Sequence, residues 1–199
     1  DVLPNRNQGY SGRVTYDYAS KYLVEFNFGY NGSERLAAGQ RFEFFPAVSA
    51  GWVASSEKFR EPISKYINHF KIRGSYGLVG SDAFASGAPH FLYQNNIGIG
   101  SAHKFWTGLP TSEISKQGPG FYVLAVQDAG WEHVKKFDIG FDMMLFNQLN
   151  ITFDYFHDKR ERILMSRASW PSMLGYWGSK PWSNIGEVEN QGFELSLNW

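Results

Sequence analysis

Ten charged residues sit at alternate positions within aromatic-rich segments: Arg13, Asp17, Glu25, Lys71, Arg73, Lys136, Asp138, Asp142, Asp154 and Glu194. A spacing of two puts side chains on one face of an extended strand. The chemistry this allows is ion pairing or contact with a charged ligand, not bond making. Both signs are interleaved, which suits a ladder of cross-strand pairs better than selection for one ion. A second set is aromatic. Trp170, Tyr176, Trp177 and Trp182 crowd one predicted loop, and Phe91, Tyr93 and Trp106 lie in another. Exposed rings can stack on a sugar face or anchor a protein partner. The competing role is loop-on-loop packing or a place in a membrane-interface girdle. Trp170 and Trp177 are the first two to mutate.

The remaining candidates are weak. His69, His90, His103, His133 and His157 show no HExxH or other tight ligand spacing. His90 and His103 share a loop, yet no metal site is expected. No nucleophile elbow, Gly-rich phosphate loop or kinase signature occurs. The chain is therefore expected to be no enzyme and to carry no cofactor. Nineteen basic residues balance nineteen acidic ones, so no nucleic-acid partner is expected. There is no Cys, which excludes disulfides and thiolate metal sites.

The elements that must hold these residues follow from periodicity. Val14, Tyr16 and Tyr18 alternate with Arg13, Thr15 and Asp17; after a turn at 19–21, Tyr22, Val24, Phe26, Phe28 and Tyr30 alternate with Leu23, Glu25, Asn27 and Gly29. The same pattern predicts strands over 44–54, 68–79, 133–145, from Leu149 onward and over 192–199. Seven strands are expected, with two weaker ones near 91–99 and 120–127. The longer strands run about 9–11 residues, the length that crosses a bilayer at a tilt. Turns at 19–21 and 146–148 are tight. Connections at 31–43, 80–132 and 159–190 are long and rich in Gly, Ser, Pro and Trp. Segment 55–68, with Pro62, is expected to be a short periplasmic helix or extended turn. Short turns at one end and long loops at the other is the arrangement of an outer-membrane barrel.

Composition agrees. Aromatic residues reach 18% and Gly is frequent, yet mean hydropathy is negative. An apolar lipid face backed by a polar lumen face averages to a soluble-looking number. Tyr16, Tyr18, Tyr22, Tyr30, Trp52, Tyr76 and Tyr155 fall on the apolar face, as structural or girdle residues. Asp1 stands where an initiator Met would and no signal-peptide pattern follows, so a processed or incomplete piece is expected. Trp199 is read as the place where this piece stops.

Several blocks occur in a specific order. Phe44-Phe45-Pro46-Ala47-Val48-Ser49-Ala50-Gly51-Trp52 precedes Phe70-Lys71-Ile72-Arg73-Gly74-Ser75-Tyr76-Gly77. Trp131-Glu132 precedes Lys136-Phe137-Asp138-Ile139-Gly140-Phe141-Asp142, and Asp154-Tyr155-Phe156 follows. Last comes Asn184-Ile185-Gly186-Glu187-Val188-Glu189-Asn190-Gln191-Gly192-Phe193-Glu194-Leu195. Over roughly residues 10–199 this series resembles the C-terminal half of the barrel in SusC/RagA-like TonB-dependent outer-membrane transporters. The resemblance implies an all-β, antiparallel transmembrane barrel of which about 7–9 strands out of about 22 are present. The plug and the remaining strands would lie outside residues 1–199. It also implies a multi-pass protein of the bacterial outer membrane that imports large nutrients such as oligosaccharides or peptides. Its partners would be a SusD-like surface lipoprotein lid, the TonB complex, outer-membrane lipid and the glycan or peptide substrate.

Two other readings compete. One is a soluble carbohydrate-binding β-sandwich, whose strands would be shorter. The other is a complete small outer-membrane barrel with a structural or adhesive role. About eight strands would close only around a side-chain-filled interior, leaving no path for a large ligand. A wall segment of a larger barrel is the preferred reading.

Overall fold

The computed structural model describes residues 6–57, 66–84, 86–99, 104–108, 114–167, 169, 171, 173 and 180–199. Seven long strands form one antiparallel sheet: β1 (Asn7–Tyr18), β2 (Tyr22–Ser33), β3 (Phe42–Trp52), β4 (Ile67–Ser81), β9 (Glu132–Leu145), β10 (Leu149–Ser166) and β11 (Trp182–Asn198). Between β4 and β9 lie β5 (Asn96–Gly98), β6 (Lys104–Thr107), β7 (Ile114–Gln117) and β8 (Gly120–Val123). These pair as β5–β8 and β6–β7, apart from the wall.

The seven expected wall strands are all present, each next to its sequence neighbour. The two weaker ones pair with each other through β5 and β8 and do not join the sheet. The hairpin β6–β7 was not anticipated, because its strands are four residues each, too short for a period to show. The expected loop over 159–190 is shorter than read: β10 runs on to Ser166 and β11 begins at Trp182. At the start of the expected 55–68 helix the described residues form a 3-10 turn, Ala54–Ser56; Pro62 lies outside the described residues.

Both tight turns have a local cause. Ala19 and Ser20 each have φ 55, and Phe146 and Asn147 each φ 56. Two central residues at positive φ make the type I′ turn, whose twist matches that of the flanking strands. Lys21 N–H donates to the Tyr18 carbonyl at 3.0 Å and Gln148 N–H to the Leu145 carbonyl at 3.0 Å. Ser20 N–H also donates to the Asp17 carboxylate at 2.9 Å, and Asn147 N–H to Asn68 Oδ1 at 2.8 Å.

Register sorts the sheet into two faces. Tyr16, Val24, Ala50, Gly74, Ile139, Tyr155 and Phe193 form one row across all seven strands. Rows above and below it carry Tyr18, Tyr22, Phe26, Val48, Tyr76 and Phe137, all exposed. Rings stack along this face: Phe28 on Phe44 at 5.9 Å, Tyr30 on Phe42 at 5.4 Å and Phe141 on Phe153 at 5.6 Å between centroids. Among the described residues no second sheet covers it. A sandwich would bury this face against a partner layer; here its rings stay exposed. No helix among the described residues is long and apolar enough to cross a membrane.

A single-layer sheet has no core of its own, and the buried apolar residues gather beyond the apolar band. Leu36, Phe45 and Trp131 form one cluster with Leu78 and Phe84 against it. Leu92, Ala129 and Leu164 form another, with Phe84, Ala88, Val126 and Trp182. Phe84 touches both, so the long connections are packed together into a cap on the sheet. The cap sits where β3 and β4 part. Those strands pair only from Ala47–Gly77 to Trp52–Ile72, although both continue further. Pro46 is the next residue and has no N–H to give, so a ladder stops there readily. The Phe45 ring fills the gap: a Cβ on Gly80 would lie 2.0 Å from it, so only glycine leaves the room.

Candidate functional site

The polar face of the sheet is built by the same register. Asp17, Leu23, Gly51, Arg73, Gly140, Asp154 and Glu194 share one row. The next row carries Glu25, Ser49, Ser75 and Asp138. Beyond it come Arg13, Lys136 and Asp158, and on the other side Lys71 opposite Asp142. All ten charged residues expected on one face are on one face. Asp158 and Arg160 belong with them and were missed; extending the alternation from Asp154 by two and three steps of two would have found them.

Arg73 is the centre of this face. Its guanidinium lies 2.7 Å from Asp154, 3.3 Å from Asp142 and 3.6 Å from Asp138. Asp154 is two strands away, and the reach depends on Gly140 between them. A Cβ there would come within 2.0 Å of Asp154 Oδ1 and 2.5 Å of the Phe153 carbonyl oxygen. Arg13 pairs with Glu25, and Lys136 Nζ lies 3.2 Å from Asp158. Asp17, Lys71 and Glu194 have no ion pair among the described residues. A depression of about 510 Å³ opens on this face, lined by Asp17, Glu25, Lys71, Arg73 and Asp138 together with Leu23, Ser49, Gly51 and Ser75. A second, of about 360 Å³, is lined by Arg73, Lys136, Asp154, Asp158 and Glu194.

The aromatic candidates have separate fates. Trp170, Tyr176 and Trp177 lie outside the described residues. Trp182 packs on the Leu92–Ala129–Leu164 cluster. Tyr93 donates its hydroxyl to the Glu34 carbonyl at 3.3 Å, and Phe91 stands edge-on to Tyr93 and His90. Trp106, on β6, is 63% exposed and is the described ring of this set most open to a ligand. Tyr122, which was not singled out, is also exposed and lines a groove of about 340 Å³ with Trp182, Lys180 and Pro89.

Two further polar clusters became visible only in three dimensions. Glu43 meets His133 at 2.9 Å and Arg162 at 3.8 Å, tying β3 to β9 and β10 across the parted ends of β3 and β4. At the opposite end Lys21 and Tyr22 both donate to Glu57. Those two bonds, Lys21 first, hold the Glu57 carboxyl below its usual range. Among the described residues no three potential ligands group as a metal would require. His133 and His157 are each paired with a glutamate, and His103 lies outside the described residues.

Residues 5–199 match the family model described as TonB dependent receptor-like, beta-barrel. TonB-dependent receptor P3 of Formosa agariphila is 32% identical over 188 residues, which are 94% of this chain and 17% of that protein. TonB-dependent receptor SusC of Bacteroides thetaiotaomicron is 25% identical over 95% of this chain and 18% of its own length. The chain thus spans about a sixth of the length of the curated relatives it matches. Among solved structures, the RagAB peptide importer in a closed-closed state superposes with a TM-score of 0.74 at 19% identity, over 96% of this chain and 19% of that one. The siderophore receptor PirA from Pseudomonas aeruginosa gives 0.59 at 11% identity, over 97% of this chain and 31% of that one. The apolar and polar faces, the tight turns at one end and the packed loops at the other have the same explanation as these likenesses: the chain belongs to the TonB-dependent receptor-like β-barrel family and forms part of the wall of an outer-membrane barrel.

Proposed function

We propose that these residues are the wall and part of the extracellular vestibule of a TonB-dependent importer for large nutrients such as oligosaccharides or peptides. The observation that carries this reading is the seven-strand sheet with one unbroken apolar face and one charged face. Neighbouring strands are hydrogen-bonded across the apolar band, β3 and β4 from Ala47–Gly77 to Trp52–Ile72, as a lipid environment demands. The charged face encloses a plug formed by polypeptide outside residues 1–199, through which the TonB complex acts. The loop cap faces outward, where Trp106, Tyr122 and Trp182, with Trp170, Tyr176, Trp177, Phe91 and Tyr93, meet substrate or a SusD-like lipoprotein lid. The segment itself carries out no bond chemistry. The TonB-dependent receptor relatives support the importer part of this reading, and the cargo class follows the resemblance to SusC/RagA-like transporters.

The test is uptake by cells carrying the full-length protein. Radiolabelled oligosaccharide and peptide pools should enter in a TonB-dependent way, and deletion of the gene should abolish entry of one class. Entry that is the same without TonB, or without the gene, overturns the reading.

A further inference from the structure

The groove of about 340 Å³ in the cap is assembled from three parts of the chain. Gly87 and Pro89 come from the connection after β4, Tyr122 from β8, and Ser166, Lys180 and Trp182 from around the facing ends of β10 and β11. Gly87 has φ 88, a left-handed backbone that a side chain would strain. The two rings are held differently. Trp182 stands in register with Ser166 at the last pair of the β10–β11 ladder and packs on the Leu92–Ala129–Leu164 cluster, which fixes it. Tyr122 sits on a strand tied to β5 and is 54% exposed. One anchored ring and one open ring in a single cleft offer the flat apolar surface that the C–H face of a sugar covers.

The charge around the groove has one sign. None of its lining residues is a carboxylate. The stretches that supply it, 86–98, 118–127 and 167–181, carry Arg167 and Lys180 and no Asp or Glu. The chain as a whole balances nineteen against nineteen, and the charged face of the wall mixes both signs. Arg167 is tied to the same place: its N–H donates to the Pro181 carbonyl at 2.9 Å and its guanidinium to the Ser183 hydroxyl at 3.4 Å. An aromatic cleft with cations at its edge fits a ligand that brings both a flat apolar face and a negative charge. The volume is near the lower end for a ligand cleft, room for a sugar ring with its substituents and not for a folded partner.

We propose that this groove is a subsite for an acidic sugar unit of the imported oligosaccharide, a ring that carries a carboxylate or a sulfate. The assignment rests on the reading that the chain is part of an importer whose cap meets substrate. Tyr122 and Trp182 take the ring, the Lys180 ammonium makes a charge-assisted hydrogen bond to the anion, and the Ser166 hydroxyl is placed for a hydroxyl of the sugar. A neutral ring keeps the stacking and loses the ionic contact, so the groove prefers the charged form, and salt narrows that preference.

The experiment uses the full-length protein in detergent on an array of immobilised oligosaccharides, in neutral, uronic-acid and sulfated sets, with a peptide set beside them. Wild type should retain members of the uronic-acid or the sulfated set, and the set retained identifies the anion. Lys180→Gln should weaken that binding about tenfold or more, with no change toward the methyl-esterified or desulfated form of the same oligosaccharide. Tyr122→Ala changes an exposed ring and should weaken binding of both forms about fivefold. Heat resistance on a gel should match wild type in both variants. Failure to retain any acidic member overturns the proposal, and so does acidic-sugar binding that both variants keep in full. Loss of a co-purifying surface lipoprotein in Tyr122→Ala, with sugar binding unchanged, overturns it too and gives the groove to the lid. All three results leave the importer standing; uptake that is the same without TonB would remove the importer reading itself.

Discussion

Arg73 shows what one residue can organise when its neighbours make room. Three carboxylates on two other strands converge on its guanidinium, and the longest reach exists because Gly140 has no side chain. The position was readable as polar from alternation alone; the convergence was not, because Asp138, Asp142 and Asp154 lie far along the chain and only register brings them together. Glu161 is the corresponding residue beyond the apolar band. Its carboxyl is held at about 2 by Lys135 first and Lys159 second. The folded value lies below the usual 4.5, so the stabilisation is fully present above that pH and is lost as pH falls toward 2. Amide exchange around 133–136 and 159–163, corrected for intrinsic rates, should therefore quicken between pH 6 and pH 3 in the wild type. Glu161→Gln should exchange faster at pH 6 and show a much flatter dependence. Equal pH dependence in the two proteins would assign the change to other groups.

Among the elements, β3 explains both where sequence reading succeeded and where it stopped. Phe44, Val48, Ala50 and Trp52 alternate cleanly and mark a wall strand. Phe45 breaks the rule, since it stands at a polar-face position and is 7% exposed. Its burial depends on Leu36 and Trp131, which come from two different loops, and no local period could have revealed that. The upper parts of β10 and β11 were missed for a related reason. Beyond Tyr155 and Phe193 the strands carry His157, Lys159 and Glu161 beside Glu187 and Glu189, so the apolar signal ends while the hydrogen-bonded ladder goes on. Phe45→Ala should cost about 3–4 kcal/mol, felt mostly in the cap. Hydrogen exchange should rise at 42–46 and 78–81, with 47–52 and 72–77 nearly unchanged. A uniform rise along β3 and β4 would mean that the cap and wall melt together.

At the scale of the molecule, the apolar band does not run straight across the register. On the row that ends at Phe193 in β11, β1 contributes Tyr16, yet its apolar face continues six residues further, to Tyr10. On the row of Tyr18, β11 contributes Leu195, and its apolar face continues four residues the other way, to Trp199. At about 3.4 Å per residue and 4.8 Å between strands, four to six residues over six strand spacings is a slant of roughly 25–35°. A membrane is level, so the strands must lean by that amount. Barrels of this class lean by about 35–45°. Polarised infrared spectra of the full-length protein in oriented bilayers should return a mean strand tilt of about 30–40°; an upright or far steeper angle would show that this stretch is not placed in the membrane as its register implies.

The parting of β3 from β4 has a mechanical consequence. Six residue pairs join β3 to β4, whereas eleven join β2 to β3 and fourteen join β4 to β9. Under tension across the wall, load concentrates on the joint with fewest bonds. Pulled from the outside, the sheet should tear first along that line, with β1–β3 peeling away as one strip and β4–β11 holding as another. The Glu43 contacts and the wedge of aromatic rings act there as a rivet at the open end of the tear.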